Sequence, residues 1–210
     1  MAGPVTIAWS RARPGDAASL PDVGTRQTAR LRRLSGVAAD RFAVGRGFAA
    51  ALIREIAGVD AATDLVSECE RCGIGTHGRL RDAANRVALS VAYADDLVVV
   101  AAADRRDVDA VGVDVERDDD VSAARVAALT RLFAPHPAPT LAEWTRIEAA
   151  LKADGRGLRV EPQDVRFTQE GYAIVAHVPG GLRAWEVATI AGPRDHVVSV
   201  ALAPAVRSAR

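Results

Sequence analysis

Val111-Gly112-Val113-Asp114-Val115-Glu116 reads as an apolar strand that carries two carboxylates. Residues i and i+2 of a strand point to one face, so Asp114 and Glu116 converge there. Two adjacent carboxylates repel one another. A hard cation such as Mg²⁺, which takes oxygen ligands and keeps waters and substrate phosphates, relieves that repulsion. The alternative is a strand end at which both acids reach solvent.

Downstream, Glu143-Trp144-Thr145-Arg146-Ile147-Glu148-Ala149-Ala150-Leu151-Lys152 reads as helix, with Trp144, Glu148 and Lys152 spaced four apart on one stripe. Gly155 and Gly157 end the periodic pattern where a left-handed cap is wanted. Taken alone, Glu148 and Lys152 are an ordinary i,i+4 pair worth about 0.2–0.5 kcal/mol.

The rest of the chain alternates apolar runs with polar breaks. A strand is expected over Val5 to Ser10, with helices over Thr25 to Leu34 and Ala38 to Ile56, where Leu52, Ile53 and Ile56 recur at helical spacing. A polar, glycine-containing stretch from Gly58 to Asn85 follows. The runs Val87 to Ala92 and Leu97 to Ala103, split by Tyr93-Ala94-Asp95-Asp96, predict a hairpin. Asp104-Arg105-Arg106-Asp107 is a charged break and the expected boundary between two lobes, 1–106 and 107–210. After the acidic strand, helices are expected over Ser122 to Phe133 and Leu141 to Asp154, then strands over Asp164 to Thr168, Tyr172 to Val178, Ala184 to Ile190 and His196 to Ala203. Strands and helices in both halves predict an α+β fold with antiparallel sheets.

With 210 residues, 49% of them hydrophobic and 26% charged, the chain can bury a sizeable core. Its 27 basic and 27 acidic residues cancel, which argues against a nucleic-acid binder working through a general basic field. Any basic site must be local. No stretch approaches the ~20 apolar residues of a membrane span, and Met1-Ala2-Gly3-Pro4 leads into a strand without a basic or apolar leader, so a cytoplasmic protein is expected. The only two cysteines, Cys69 and Cys72, are too few for a disulfide framework and make half of a Cys₄ zinc site. With His77 they offer three ligands of a zinc-stapled interaction module; a turn with two reduced thiols is the simpler reading.

The acidic strand and the later helix, in this order, resemble the signature of the larger, two-lobed 4′-phosphopantetheinyl transferases. That pattern runs apolar-Gly-apolar-Asp-apolar-Glu, then aromatic, Ser or Thr, any residue, Lys, Glu, Ala, two free positions and Lys, then Gly-x-Gly. The chain supplies all of it except the Lys before Glu148, where Ile147 stands. Cys69-Glu70-Arg71-Cys72-Gly73 and His77-Gly78-Arg79 resemble further stretches of bacterial members, as does Leu89-Ser90 before an apolar run. Val91 and Ala92 stand where those members carry His and Ser, and Leu80 replaces a Pro.

The resemblance implies two similar lobes in a pseudo-duplicated α/β arrangement, the first gripping coenzyme A phosphates and the second carrying the acidic motifs. It implies Mg²⁺-dependent transfer of the 4′-phosphopantetheine arm of coenzyme A to a serine of an acyl or peptidyl carrier protein. Asp114, Glu116 and Glu148 are the expected metal ligands, and Glu148, Lys152 and Glu116 the expected catalytic groups. Arg30, Gly78, Arg79, Ser90, Asp114 and Lys152 are expected at coenzyme A. The expected protein acts as a monomer, without nucleic acid or membrane. The alternative, raised by Val91 and Ile147, is a non-catalytic descendant that binds a carrier protein or coenzyme A.

Overall fold

A computed structural model describes residues 4–69, 71–75, 78–118 and 122–204. The first half runs β1 (Thr6–Arg11), α1 (Thr25–Leu31), α2 (Gly36–Ala57), β2 (Leu65–Cys69), β3 (Gly73–Gly75), β4 (Arg79–Asp82), β5 (Val87–Ala94) and β6 (Leu97–Asp104). Its six strands form one antiparallel sheet in the order β1-β6-β5-β4-β2-β3. The second half runs β7 (Val108–Arg117), α3 (Ala123–Phe133), α4 (Leu141–Asp154), β8 (Arg166–Glu170), β9 (Ala173–His177), β10 (Ala184–Ile190) and β11 (His196–Pro204). These strands form a five-stranded antiparallel sheet in the order β7-β11-β10-β9-β8. The fold is α+β with two antiparallel sheets.

Two expectations shift. The stretch from Gly58 to Asn85 holds β2, β3 and β4, short strands whose alternation is broken by charged residues such as Glu68, Arg79 and Arg81. Arg81 pairs across the sheet with Glu68, so these charges serve the strand pairing. The strand expected from Asp164 begins at Arg166, because Pro162–Asp164 forms a 3-10 turn first.

Strand alternation sorts the core into three apolar clusters. Val98, Val100 and Ala102 of β6 face α2, where they meet Ala49, Ala50 and Ile53. The opposite face, Val99 and Ala101, packs on Val111, Val113 and Val115 of β7 and on Val198 and Val200 of β11. The far face of the second sheet, with Ala110, Trp185, Val187 and Ala201, receives α4 through Ile147, Ala150 and Leu151. The molecule is thus layered as α2, first sheet, second sheet, α4, and residues 112, 114 and 116 of β7 look toward α4. Ser90 of β5 spans the two sheets by accepting the Val113 N–H at 3.0 Å.

Helix α4 is placed by its ends and by close packing. Thr140 caps it: its Oγ1 accepts the Glu143 N–H at 3.3 Å, and Glu143 Oε2 accepts the Thr140 N–H at 2.7 Å. Thr140→Ala is expected to cost about 1 kcal/mol, read as a lower urea midpoint with an unchanged m value. Gly155 closes the helix at φ 92°. Within it, the buried Thr145 hydroxyl meets Ser199 Oγ of β11 at 2.8 Å. At Gly112 the helix comes so close that a Cβ there would overlap the Ala149 carbonyl and lie 2.5 Å from Ala153 N.

Candidate active site

The missing Cβ at Gly112 lets the stripe Trp144, Glu148, Lys152 lie along β7 with opposite polarity. Trp144 Nε1 donates to Glu116 Oε1 at 3.1 Å at one end of the stripe. Lys152 Nζ donates to Asp114 Oδ1 at 2.6 Å at the other. Glu148, one turn before Lys152, places Oε2 3.8 Å from the same ammonium. Asp114, Glu148 and Lys152 therefore form one cluster built from two segments that the sequence separates.

Asp114 is the electrostatic centre of this cluster. Its side chain is buried, and Oδ2 has no hydrogen-bond partner among the described residues. Burial pushes its carboxyl up to about 7, against the pull of Lys152, and the charges of Glu148 and Glu116 push the same way. A buried carboxylate oxygen without a donor, flanked by further acids, is what a hard cation would satisfy. Asp114 and Glu148 fit such an ion.

Glu116 stands differently. Besides the Trp144 indole, Oε1 takes the Arg125 guanidinium of α3 at 2.8 Å. Among the described residues no three His, Cys, Asp or Glu side chains form a group that could hold a metal ion. Of the three acids expected as ligands, Asp114 and Glu148 share the Lys152 ammonium, while the Glu116 carboxylate is held by the indole and the guanidinium. Arg125 had no signal in the sequence, since its role depends on α3 folding back over β7.

Beside the cluster opens a cleft of about 810 Å³ between the α2 side of the first sheet and the C-terminal end of α4. Every charged residue lining it among those described is basic: Arg30, Arg41 and Arg46 from α1 and α2, Arg71 and Arg79 from the β2–β4 region, and Lys152, Arg156 and Arg159 from α4 and beyond. In a chain of zero net charge this is a local concentration of cations that focuses a field on anions. Lys152 belongs to both the cleft and the acidic cluster, so it joins them.

The expected phosphate grips all line this cleft, in different states. Arg30 lies over the Phe42 ring at 5.4 Å and has no hydrogen-bond or ion-pair partner among the described residues. Arg79 donates to the Ala153 carbonyl at the end of α4, so it also fastens the first sheet to that helix. Ser90 lines the wall with its hydroxyl on Val113 N. Gly78, at φ 97°, is required by the chain itself, because a Cβ there would lie 2.6 Å from Cys69 N. The close approach it permits is to the backbone of Glu68 and Cys69. Arg46 is buried, donating to Gln27 Oε1 at 2.9 Å and to Tyr93 Oη at 3.2 Å, with its pKa lowered mainly by burial.

Two departures from the motif pattern fall in different places. Val91 lines the cleft, whereas Ile147 is buried in the core beneath α4 and takes no part in the cleft. Arg71, Arg156 and Arg159 were not expected in the site. Arg156 had a signal, as the middle residue of Gly155-Arg156-Gly157; the other two join only through the tertiary fold. Cys69 is buried and Cys72 exposed, with no disulfide between them, while His77, the third ligand of the zinc reading, lies outside the described residues. No helix among the described residues is long and apolar enough to cross a membrane. The chain matches no protein-family model and no curated protein.

Proposed function

We propose that this chain is a two-lobed 4′-phosphopantetheinyl transferase, moving the phosphopantetheine arm of coenzyme A onto a serine of an acyl or peptidyl carrier protein. The observation that carries the reading is the junction at Lys152: an acidic pair, Asp114 and Glu148, at the edge of a cleft whose charged lining among the described residues is entirely basic. Coenzyme A is a polyanion with a long uncharged arm. The cleft offers guanidinium groups to its phosphates and apolar walls from Leu34, Phe42, Leu89 and Val91.

Attack on a pyrophosphate phosphorus builds charge on the leaving and non-bridging oxygens. A divalent ion, when bound, supplies charge neutralisation of those oxygens. Lys152 contributes its own positive charge at the same place, held there by Asp114 at 2.6 Å. Asp114 and Glu148 would hold such an ion, and Glu148, the more exposed of the two, is also placed to take the proton of the incoming serine hydroxyl. Glu116, fixed by Trp144 and Arg125, acts on the cluster through its charge and through the position of α3.

Incubated with Mg²⁺, coenzyme A and a carrier protein, the purified chain is expected to add one phosphopantetheine arm to the carrier, read by intact mass. No mass gain on any tested carrier, while a proven transferase modifies the same carriers in parallel, overturns the reading. A second reading, binding without transfer, draws on Val91, which puts an apolar side chain in the cleft where the family pattern carries a His. Calorimetric binding of coenzyme A without any mass change on the carrier separates the two.

A further inference from the structure

The turn between β2 and β3 carries two thiols at the rim of the basic cleft, and the transfer reaction has no use for them. Cys69 ends β2 and pairs with Gly73 across the hairpin, and the Cys72 N–H donates to the Cys69 carbonyl at 3.2 Å. That bond closes a four-residue turn, which brings Cα atoms i and i+3 within about 7 Å, the upper end of the span a disulfide bridges. Gly73, at φ 73°, lets the chain leave the turn at once into β3. One sulfur belongs to a buried residue, the other to an exposed one.

The Cys72 thiol donates a hydrogen bond to the Cys69 sulfur, and this bond and the charge on Cys69 hold it above its usual range, against a smaller pull from Arg159. The pair thus keeps its proton on Cys72, and what singles Cys72 out is access: its sulfur belongs to the exposed residue, beside a cleft edged by Arg71 and Arg159, while Cys69 is buried.

We propose that Cys72 and Cys69 are a thiol–disulfide exchange site for anionic low-molecular-weight disulfides, with Cys72 as the attacking thiol and Cys69 as the resolving one. The Cys72 thiolate attacks one sulfur of the disulfide R–S–S–R, its proton having passed to solvent. The S–S bond breaks, R–S⁻ leaves and takes up a proton, and a Cys72–S–S–R adduct remains. Cys69, deprotonated in turn, attacks the Cys72 sulfur and expels the second R–S⁻. The two cysteines end oxidised as one disulfide and the small disulfide ends reduced to two thiols. The cleft's cations select the reagent by charge, and the exposed position of Cys72 makes it the point of attack. This inference rests on the turn and the charge of the cleft, and it stands whether or not the chain transfers phosphopantetheine.

The test is intact-mass kinetics on the full chain with glutathione disulfide, which is anionic, and cystamine, which is cationic, each rate divided by that on the urea-unfolded chain. On the wild type, glutathione disulfide should react at least about tenfold faster than cystamine at low salt, with the preference shrinking at high salt. The end product should be the loss of two hydrogens, mapped by proteolysis to a peptide linking Cys69 and Cys72. Cys69→Ser should stop at a stable adduct on Cys72, and Cys72→Ser should react at most one-tenth as fast. Equal rates for the two reagents, a wild-type adduct that never resolves, or Cys72→Ser reacting like the wild type would each overturn the proposal. Because Cys69 is buried and its substitution can unfold the chain, the wild-type end product and the charge preference decide the matter without that variant.

Discussion

Asp114→Asn should melt at a higher temperature than the parent protein at pH 8 in the absence of divalent ions, and should have lost at least about a hundredfold in transfer rate. The two effects share one cause. In the unfolded chain the carboxyl titrates near ~4, whereas burial among like charges raises it to about 7 in the folded protein. Between those values the folded state binds the additional proton. The stability this group contributes is therefore complete below about pH 4 and is lost as pH rises toward 7. Above that, the folded protein carries a desolvated anion that Lys152 only partly offsets.

Removing that charge is worth at most about 4 kcal/mol at pH 8 and close to nothing near pH 4. Calorimetric melting at the two pH values checks it. Mg²⁺ should raise the melting temperature of the parent by mass action and leave Asp114→Asn unmoved. A variant that melts lower than the parent at pH 8 would mean that the bond to Lys152 holds the fold, and that Asp114 is a structural residue.

Gly112→Ala should be the most damaging single methyl group in the second sheet. The added Cβ meets only backbone, the Ala149 carbonyl and Ala153 N, so no side chain can rotate away. Helix α4 must lift from β7, at an expected cost of at least about 3 kcal/mol, measured by urea unfolding. Lifting the helix also moves Glu148 and Lys152 away from Asp114, so the fraction that remains folded should transfer slowly; misplacement by about 1 Å commonly costs about a hundredfold. Gly45→Ala is the control, because the Cβ there meets the side chains of Tyr93 and Val91, which can yield, and lies in the other sheet's packing. Equal stability losses for the two would remove the special role given to helix approach at Gly112.

Much of this arrangement was legible in the chain. The alternation around Asp114 and Glu116 gave β7 and its inward face, and the fourfold spacing of Trp144, Glu148 and Lys152 gave the stripe that meets it. The hairpin of β5 and β6 followed from two valine- and alanine-rich runs around an acidic turn. What stayed hidden has physical reasons. Strands β2 to β4 are short and carry Glu68, Arg79 and Arg81, of which Glu68 and Arg81 pair across the sheet, so the apolar alternation that would mark them is interrupted. The place of Glu116 in the strand was legible, but its ion pair with Arg125 was not, because Arg125 comes from a helix whose docking no local pattern announces. The basic cleft is invisible to composition, since its cations are scattered from Arg30 to Arg159 and balanced elsewhere by acids.

The contact between Ser90 and Val113 bears on solubility as much as on architecture. Strand β7 is the outermost member of its sheet, ten residues long and rich in valine, which is the profile of a segment that recruits other chains edge to edge. Its free margin is turned inward against β5, and a single hydroxyl takes up the Val113 amide there. The same serine that walls the cleft thus occupies a backbone amide on the margin by which such a strand would otherwise pair with another chain.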